Sequence, residues 1–441
     1  MKIVFYFEPF LDKSLVFCGF FENYFKGLIS QFVINLKKYT DTNNIDIKIQ
    51  IIASEFLYNY AKKKESFDFD IQFINHSKLC SIFKSYQNYI KLKKLNPSAD
   101  EFKLLSEIIR DKIGNIEPDI FFGCSVNIGF LEKFFPNSSI LYNESGLFGY
   151  LEYFKHTLYL DLIQNNKSCL LNKKVGENVY EEEQYNQNKD QLNNYLINLS
   201  KLSPLSNIFN VNKYKKIGLL ALQRWDSELM QLNTDFECEL DYINNILENV
   251  SSEFGLIITM HKTSSIIADK NTYELLKAKF PNITLIADSN LTPSINLIDN
   301  CDFIITNSST TAFYALFLNK KILLTSSNSY LNPIANCNNV AKFNQEIVSK
   351  NEKNLENYKK FFLQNYFIPA EKFFNGEWLY NFLKNIILNK DSISLNDIYK
   401  ANNKNLEINL SKNKNKNLIK RYLKIIKKKI NSIIILNEKK N

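Results

Sequence analysis

Four short stretches carry side chains that could do chemistry, and each follows an apolar run. They are Glu144 in "YNESGLF", Gln223 to Ser227 in "LQRWDSE", His261 and Lys262 in "TMHKT", and Asn307 to Thr310 in "TNSSTTAFYALF". Glu144 and Asp226 are two carboxyl groups, one from each half of the chain. Retaining glycosyl transfer by double displacement uses such a pair, one as nucleophile and one as acid or base. For either acid alone the competing reading is a solvated turn residue. Arg224 and Trp225 beside Asp226 weigh against it, because an aromatic and a cation gain little in an exposed turn.

Asn307 to Thr311 is a hydroxyl-rich turn ahead of an amphipathic helical pattern. Free N–H groups and the positive end of a helix dipole would suit a phosphate there, with plain N-capping by Ser308, Ser309 or Thr310 as the alternative. His261 and Lys262 are a second place where donors could meet a phosphate, with a structural role for the histidine as the alternative. The DxD at Asp68-Phe69-Asp70 opens a strand rather than following one, and reads as a solvated edge rather than a metal site.

What must position these groups is an alternation of strands and helices. In the first third, apolar runs at 2–7, 46–54, 70–75, 119–125 and 138–146 are separated by helical patterns such as "EFKLLSEIIRDKI". From about 150 to 205 the chain turns polar and acidic, and "YEEEQYNQNKDQLNNYLINL" reads as a helix closed by Pro204. A second series follows at 215–223, 255–263, 282–289, 301–309 and 321–327. This predicts two doubly wound, Rossmann-like α/β domains, 1–204 and 205–390, followed by a basic tail, 391–441. In such sheets ligands bind beyond the carboxyl ends of the strands, where all four stretches fall.

Taken in order, "ESGLF", "ALQRWDSEL", "IITMHKTSS" and "ITNSSTTAFYALFLNKKILL" resemble the bacterial capsule polysaccharide synthesis family, which includes retaining β-Kdo transferases of the GT-B architecture. The resemblance covers roughly residues 140–325. It implies a CMP-Kdo donor and no metal or other cofactor, with Asp226 as nucleophile and Glu144 as acid or base. Gln223, Arg224, Ser227, His261, Lys262, Asn307, Ser308, Ser309 and Thr310 would hold the donor. It also implies a first domain on the acceptor side and a glycan or lipid-linked glycan acceptor. The chain departs from the family's pattern at Thr259 and Lys262, around the histidine, at Tyr314, where a glutamate is usual, and at Asn319 and Lys321, which replace the Gly and Pro of a Gly-Lys-Pro.

The 441 residues are 45% hydrophobic and 23% charged, which fits a packed chain with more than one core and excludes extensive disorder. Seven scattered cysteines without a CxxC pair read as reduced thiols in a reducing compartment. No run of about 18 apolar residues could span a bilayer, and no signal peptide is visible at the start. The net charge of +9 sits in the tail: residues 412–441 hold ten lysines and Arg421 against Glu438, a net +10, leaving −1 elsewhere. Residues 418–436, "LIKRYLKIIKKKINSIIIL", have the pattern of a basic amphipathic helix that lies on an anionic membrane surface. A solvated extension is the alternative; nucleic acid is disfavoured because Tyr422 is the one aromatic residue in that stretch. The expected place is the cytoplasm, at the inner face of the cytoplasmic membrane.

Overall fold

The computed structural model describes residues 1–12, 25, 30–63, 69–114, 116–124, 126–145, 157–164, 167–176, 182–201, 203, 205, 211–261, 269–286, 293–350 and 353–399. Lys262, Asp68 and the tail from 400 onward lie outside these residues. Among the described residues, thirteen strands form two sheets.

The first sheet contains β1 (Lys2–Tyr6), β2 (Lys48–Ser54), β3 (Asp70–Ile74), β4 (Ile120–Cys124) and β5 (Ser139–Ser145), parallel and in the order β3-β2-β1-β4-β5. Three further strands, β6 (Thr157–Gln164), β7 (Lys167–Ser168) and β13 (Ile368–Pro369), extend it antiparallel beyond β5. The second sheet contains β8 (Lys216–Ala221), β9 (Phe254–Thr259), β10 (Ile283–Ile286), β11 (Phe303–Thr306) and β12 (Lys321–Leu324), all parallel, in the order β10-β9-β8-β11-β12.

Both halves therefore wind outward in both directions from their first strand, the doubly wound layout expected from the sequence and that of a GT-B fold. Each has one topological switch point, between β1 and β4 and between β8 and β11, and the crevice at a switch point is where such sheets bind ligands.

The second sheet shows why these runs are strands. Successive side chains of a strand point to opposite faces. Ile217, Leu219, Ile257, Ile304, Ile322 and Leu324 join a core continuous with the first half. Leu220, Leu256, Ile258, Phe303, Ile305 and Leu323 build a separate cluster on the other face. Gly218 pairs with Phe303 across the switch point, where a Cβ would lie 2.1 Å from the ring, so the β8–β11 contact requires a glycine.

Two features differ from the sequence reading. Residues 150–205 were expected to be a polar junction, and the helix Glu182–Ser200 is there, but β6 and β7 precede it and belong to the first sheet. Asp161 in the middle of "TLYLDLIQ" hides that run, although the strand is buried on both faces and the carboxyl with it, 3% exposed. The chain also returns to the first half before residue 390. β13 adds to β6, the helix Gly376–Asn389 packs on Ser30–Thr42, and Tyr399 Oη accepts from Leu162 N at 3.2 Å. A second unit drawn from 205 to 390 thus includes a segment whose contacts belong to the first sheet.

Candidate functional site

The second switch point is closed by side chains from both of its strands. Gln223, just past β8, accepts from Ser308 N at 2.8 Å through Oε1 and donates to Ser308 Oγ at 3.2 Å through Nε2. Ser308 is 1% exposed. Beside it Asn307 is equally buried, and neither atom of its carboxamide has a hydrogen-bond partner among the described residues. A buried amide in this state costs free energy unless a partner satisfies it.

The Ser308 to Thr311 turn uses most of its own amides. Ser309 N donates to Thr306 Oγ1 at 3.4 Å, and Thr311 N to Ser309 Oγ at 3.2 Å. The Ser309 hydroxyl thus accepts within its own turn, and the helix Thr311–Phe317 has no side-chain cap at Thr310. The following helix, Thr311–Phe317, is buried along its whole length instead of amphipathic, because it packs against the helix Glu182–Ser200 as well as β11 and β12. Tyr314 is one of its core residues, 3% exposed. Asn319 at the helix end has a positive φ of 55°, the left-handed conformation that asparagine tolerates best after glycine, which accounts for Asn in the Gly position of Gly-Lys-Pro. Lys321, in the Pro position, donates to the carbonyl of Ser349 and to its Oγ at 2.9 Å.

Between Gln223 and the helix Glu228–Asn233 the chain makes one turn. Ser227 Oγ donates to Arg224 O at 2.8 Å and accepts from Met230 N at 3.3 Å, capping the helix. Arg224 Nε donates to Asp226 Oδ1 at 2.6 Å. Asp226 is half exposed while Arg224 is largely covered, and one oxygen of the carboxylate is held by the guanidinium. His261, exposed, sits past β9, and Ser309 past β11. They flank Gln223 on the same edge, past strands that lie two spacings, or about 9–10 Å, apart. Asp70, of the DxD, is at the opposite end of its sheet and accepts from Gln50 and Gln72.

The first half meets this turn through groups the sequence reading did not single out. Glu228 Oε1 accepts from Lys93 Nζ at 2.6 Å, and Glu228 Oε2 from Asn127 N, past β4, at 3.3 Å. Lys93 Nζ is also 3.9 Å from Glu8 Oε2, past β1. The first switch point thus presents Glu8 and Asn127 to the second half. Burial pushes the Glu8 carboxyl up to about 7, against the pull of Lys93. Tyr86, on the same helix as Lys93, has its hydroxyl pKa raised first by burial, then by Glu8 and Glu228; the charges of Arg224 and Asp226 reach it too.

Glu144, at the end of β5, accepts from Tyr142 Oη at 3.1 Å. Burial raises the Tyr142 hydroxyl, and the charges of Glu144 and then Glu228 raise it further. Tyr159, opposite Glu144 on β6, stacks on Tyr330, whose hydroxyl donates to Ser308 O at 3.2 Å. Glu144 is therefore linked through tyrosines to the Gln223–Ser308 bridge. A sequence signal for this shell existed in part, since Glu8 and Asn127 follow apolar runs as the recognised residues do; Lys93 and Tyr330 carry no local signature.

No protein-family model matches the chain, and no curated protein matches it. Among solved structures it is similar to Thermosulfurimonas dismutans KpsC, a beta Kdo 2,7 transferase, at 15% identity over 67% of this chain and 97% of that one, with a TM-score of 0.37. It is also similar to Methanocaldococcus jannaschii UDP-GlcNAc 2-epimerase in complex with UDP-GlcNAc and UDP, at 13% identity over 87% and 99% with a TM-score of 0.33. S. aureus MnaA with UDP gives 13%, 87% and 96%, and 0.30. These are distant similarities.

Proposed function

We propose that this chain is a retaining glycosyltransferase that uses CMP-Kdo and extends a glycan or lipid-linked glycan of the bacterial surface. One observation carries the reading: Asp226 stands half exposed at the second switch point, oriented by Arg224, three residues from the Gln223–Ser308 bridge and its buried, unsatisfied Asn307. The motif order that resembles β-Kdo transferases supports the choice of donor.

In the reaction, the Asp226 carboxylate attacks the anomeric carbon, the bond to the phosphate oxygen breaks, and CMP leaves. Glu144 then takes the proton of the acceptor hydroxyl, whose oxygen attacks the glycosyl-aspartate from the other face and frees Asp226. Two inversions give retention. His261, Lys262 and the Ser308 to Thr310 hydroxyls would meet the monophosphate. A leaving group of this charge is served by such donors without a metal ion.

One observation favours a different donor on the same machinery. Tyr314 lies in the core where the resembled family places an acid, so a sugar contact made by that acid is missing here. Incubation with a panel of CMP-, UDP- and GDP-sugars decides. CMP release from CMP-Kdo, lost in Asp226→Asn, is the expected outcome. Turnover of a UDP- or GDP-sugar alone would move the donor assignment, and no release from any of them would leave a glycan-binding partner of assembly or export as the function.

A further inference from the structure

The Asp226 turn is held at both ends, and the second hold comes from the other half of the molecule. At one end Gln223 is clipped to Ser308 within the second sheet. At the other, Glu228 begins the next helix and is clipped to Lys93, on the helix Tyr86–Leu95 of the first half. Only Arg224 to Ser227 lie between. Lys93 is 1% exposed, its ammonium lies 4.3 Å from the centroid of the Tyr89 ring, and its second carboxylate neighbour, Glu8, is fully buried at the first switch point.

A buried cation between two carboxylates is a poor source of net stability, because desolvation of three charges offsets their attraction. What such a group can supply is register, since its charge-assisted hydrogen bonds are directional and a displaced partner is left charged in a buried site.

We propose that Lys93 is a positioning residue: by joining Glu8 of the first switch point to Glu228 of the second, it sets where Asp226 stands over the crevice. The inference rests on the proposed role of Asp226, but its first readout does not. Trp225, inside the turn and half-buried against Tyr242, reports the turn's position. With Trp378, the other tryptophan, replaced by Phe, Trp225 is the sole emitter.

Lys93→Met leaves the buried Glu8 and the partly buried Glu228 without their cation and can lose the fold, so the informative variant is Lys93→Met with Glu228→Gln, which removes the pair together. In the full chain, folding is checked by circular dichroism. Acrylamide quenching of Trp225 should rise about twofold in the double variant as the turn loosens, and Lys93→Arg should keep the quenching near wild type. CMP affinity should stay within about twofold, because Gln223, Asn307 and Ser308 are untouched, while kcat for CMP release from CMP-Kdo falls about a hundredfold, as misplacement of a reacting group by about 1 Å produces. Unchanged quenching in a folded double variant overturns the proposal whatever the reaction is. Raised quenching in a protein whose wild type releases no CMP supports the positioning role and removes the CMP-Kdo reading instead.

Discussion

At the scale of single residues, the account depends on two contacts of one short turn. Gln223 holds the backbone and hydroxyl of Ser308, and Arg224 holds Asp226. Gln223→Ala leaves a buried serine amide without its acceptor, a cost of about 1–3 kcal/mol, or roughly five- to 150-fold in affinity where the turn binds the nucleotide. Calorimetry with CMP should show that loss, and unchanged affinity would remove the bridge from the binding site. Gln223 and Ser308 stand two residues past β8 and β11 and Asp226 five past β8, so their places beyond strand ends were legible in the sequence. Glu8, Lys93, Glu228 and Tyr330 were not recognised, since their roles come from contacts between residues far apart in the chain, such as Lys93 with Glu228. Tyr314 was legible as a departure, but only the packing of its helix shows that it became core.

At the scale of elements, the parallel strands announced themselves by continuous apolar runs, and their alternation with helices implied doubly wound sheets. β6 escaped because a buried acid interrupts it. Asp161 accepts from Cys169 Sγ at 3.5 Å, and burial pushes its carboxyl up to about 7 from the usual 3.8, outweighing the hydrogen bonds that lower it. The folded state therefore keeps this proton to higher pH than the unfolded chain does. Its contribution is fully present below about pH 4 and is lost as pH rises through about 7, a slope of roughly 1.4 kcal/mol per pH unit in that window. Glu8 acts with the same sign. Asp161→Asn removes one of the two, so urea unfolding should show the variant losing roughly 3 kcal/mol less than wild type between pH 5 and pH 8. Equal losses would place the Asp161 carboxyl in a wetter environment than β6 provides.

At the scale of the whole molecule, two switch points face each other across one seam, tied by Lys93, Glu228 and Asn127. The two-part layout was legible from two series of strand-like runs. The return of 368–399 to the first sheet was not, because β13 is two residues long and its helix pattern carries no address. No helix among the described residues is long and apolar enough to cross a membrane. The +10 tail, outside those residues, is proposed to carry the enzyme to an anionic surface where a lipid-linked acceptor resides. Deleting 412–441 should release the protein from anionic vesicles and spare transfer to a soluble acceptor; retained vesicle binding would contradict that role. The central claim, that Asp226 becomes bonded to the sugar, has a direct test in the Glu144→Gln variant, where the second displacement is slowed. After incubation with CMP-Kdo, peptide mass spectrometry should find one sugar residue added to the peptide that contains Asp226. CMP release by that variant with Asp226 unmodified, or the sugar on another residue, would contradict it.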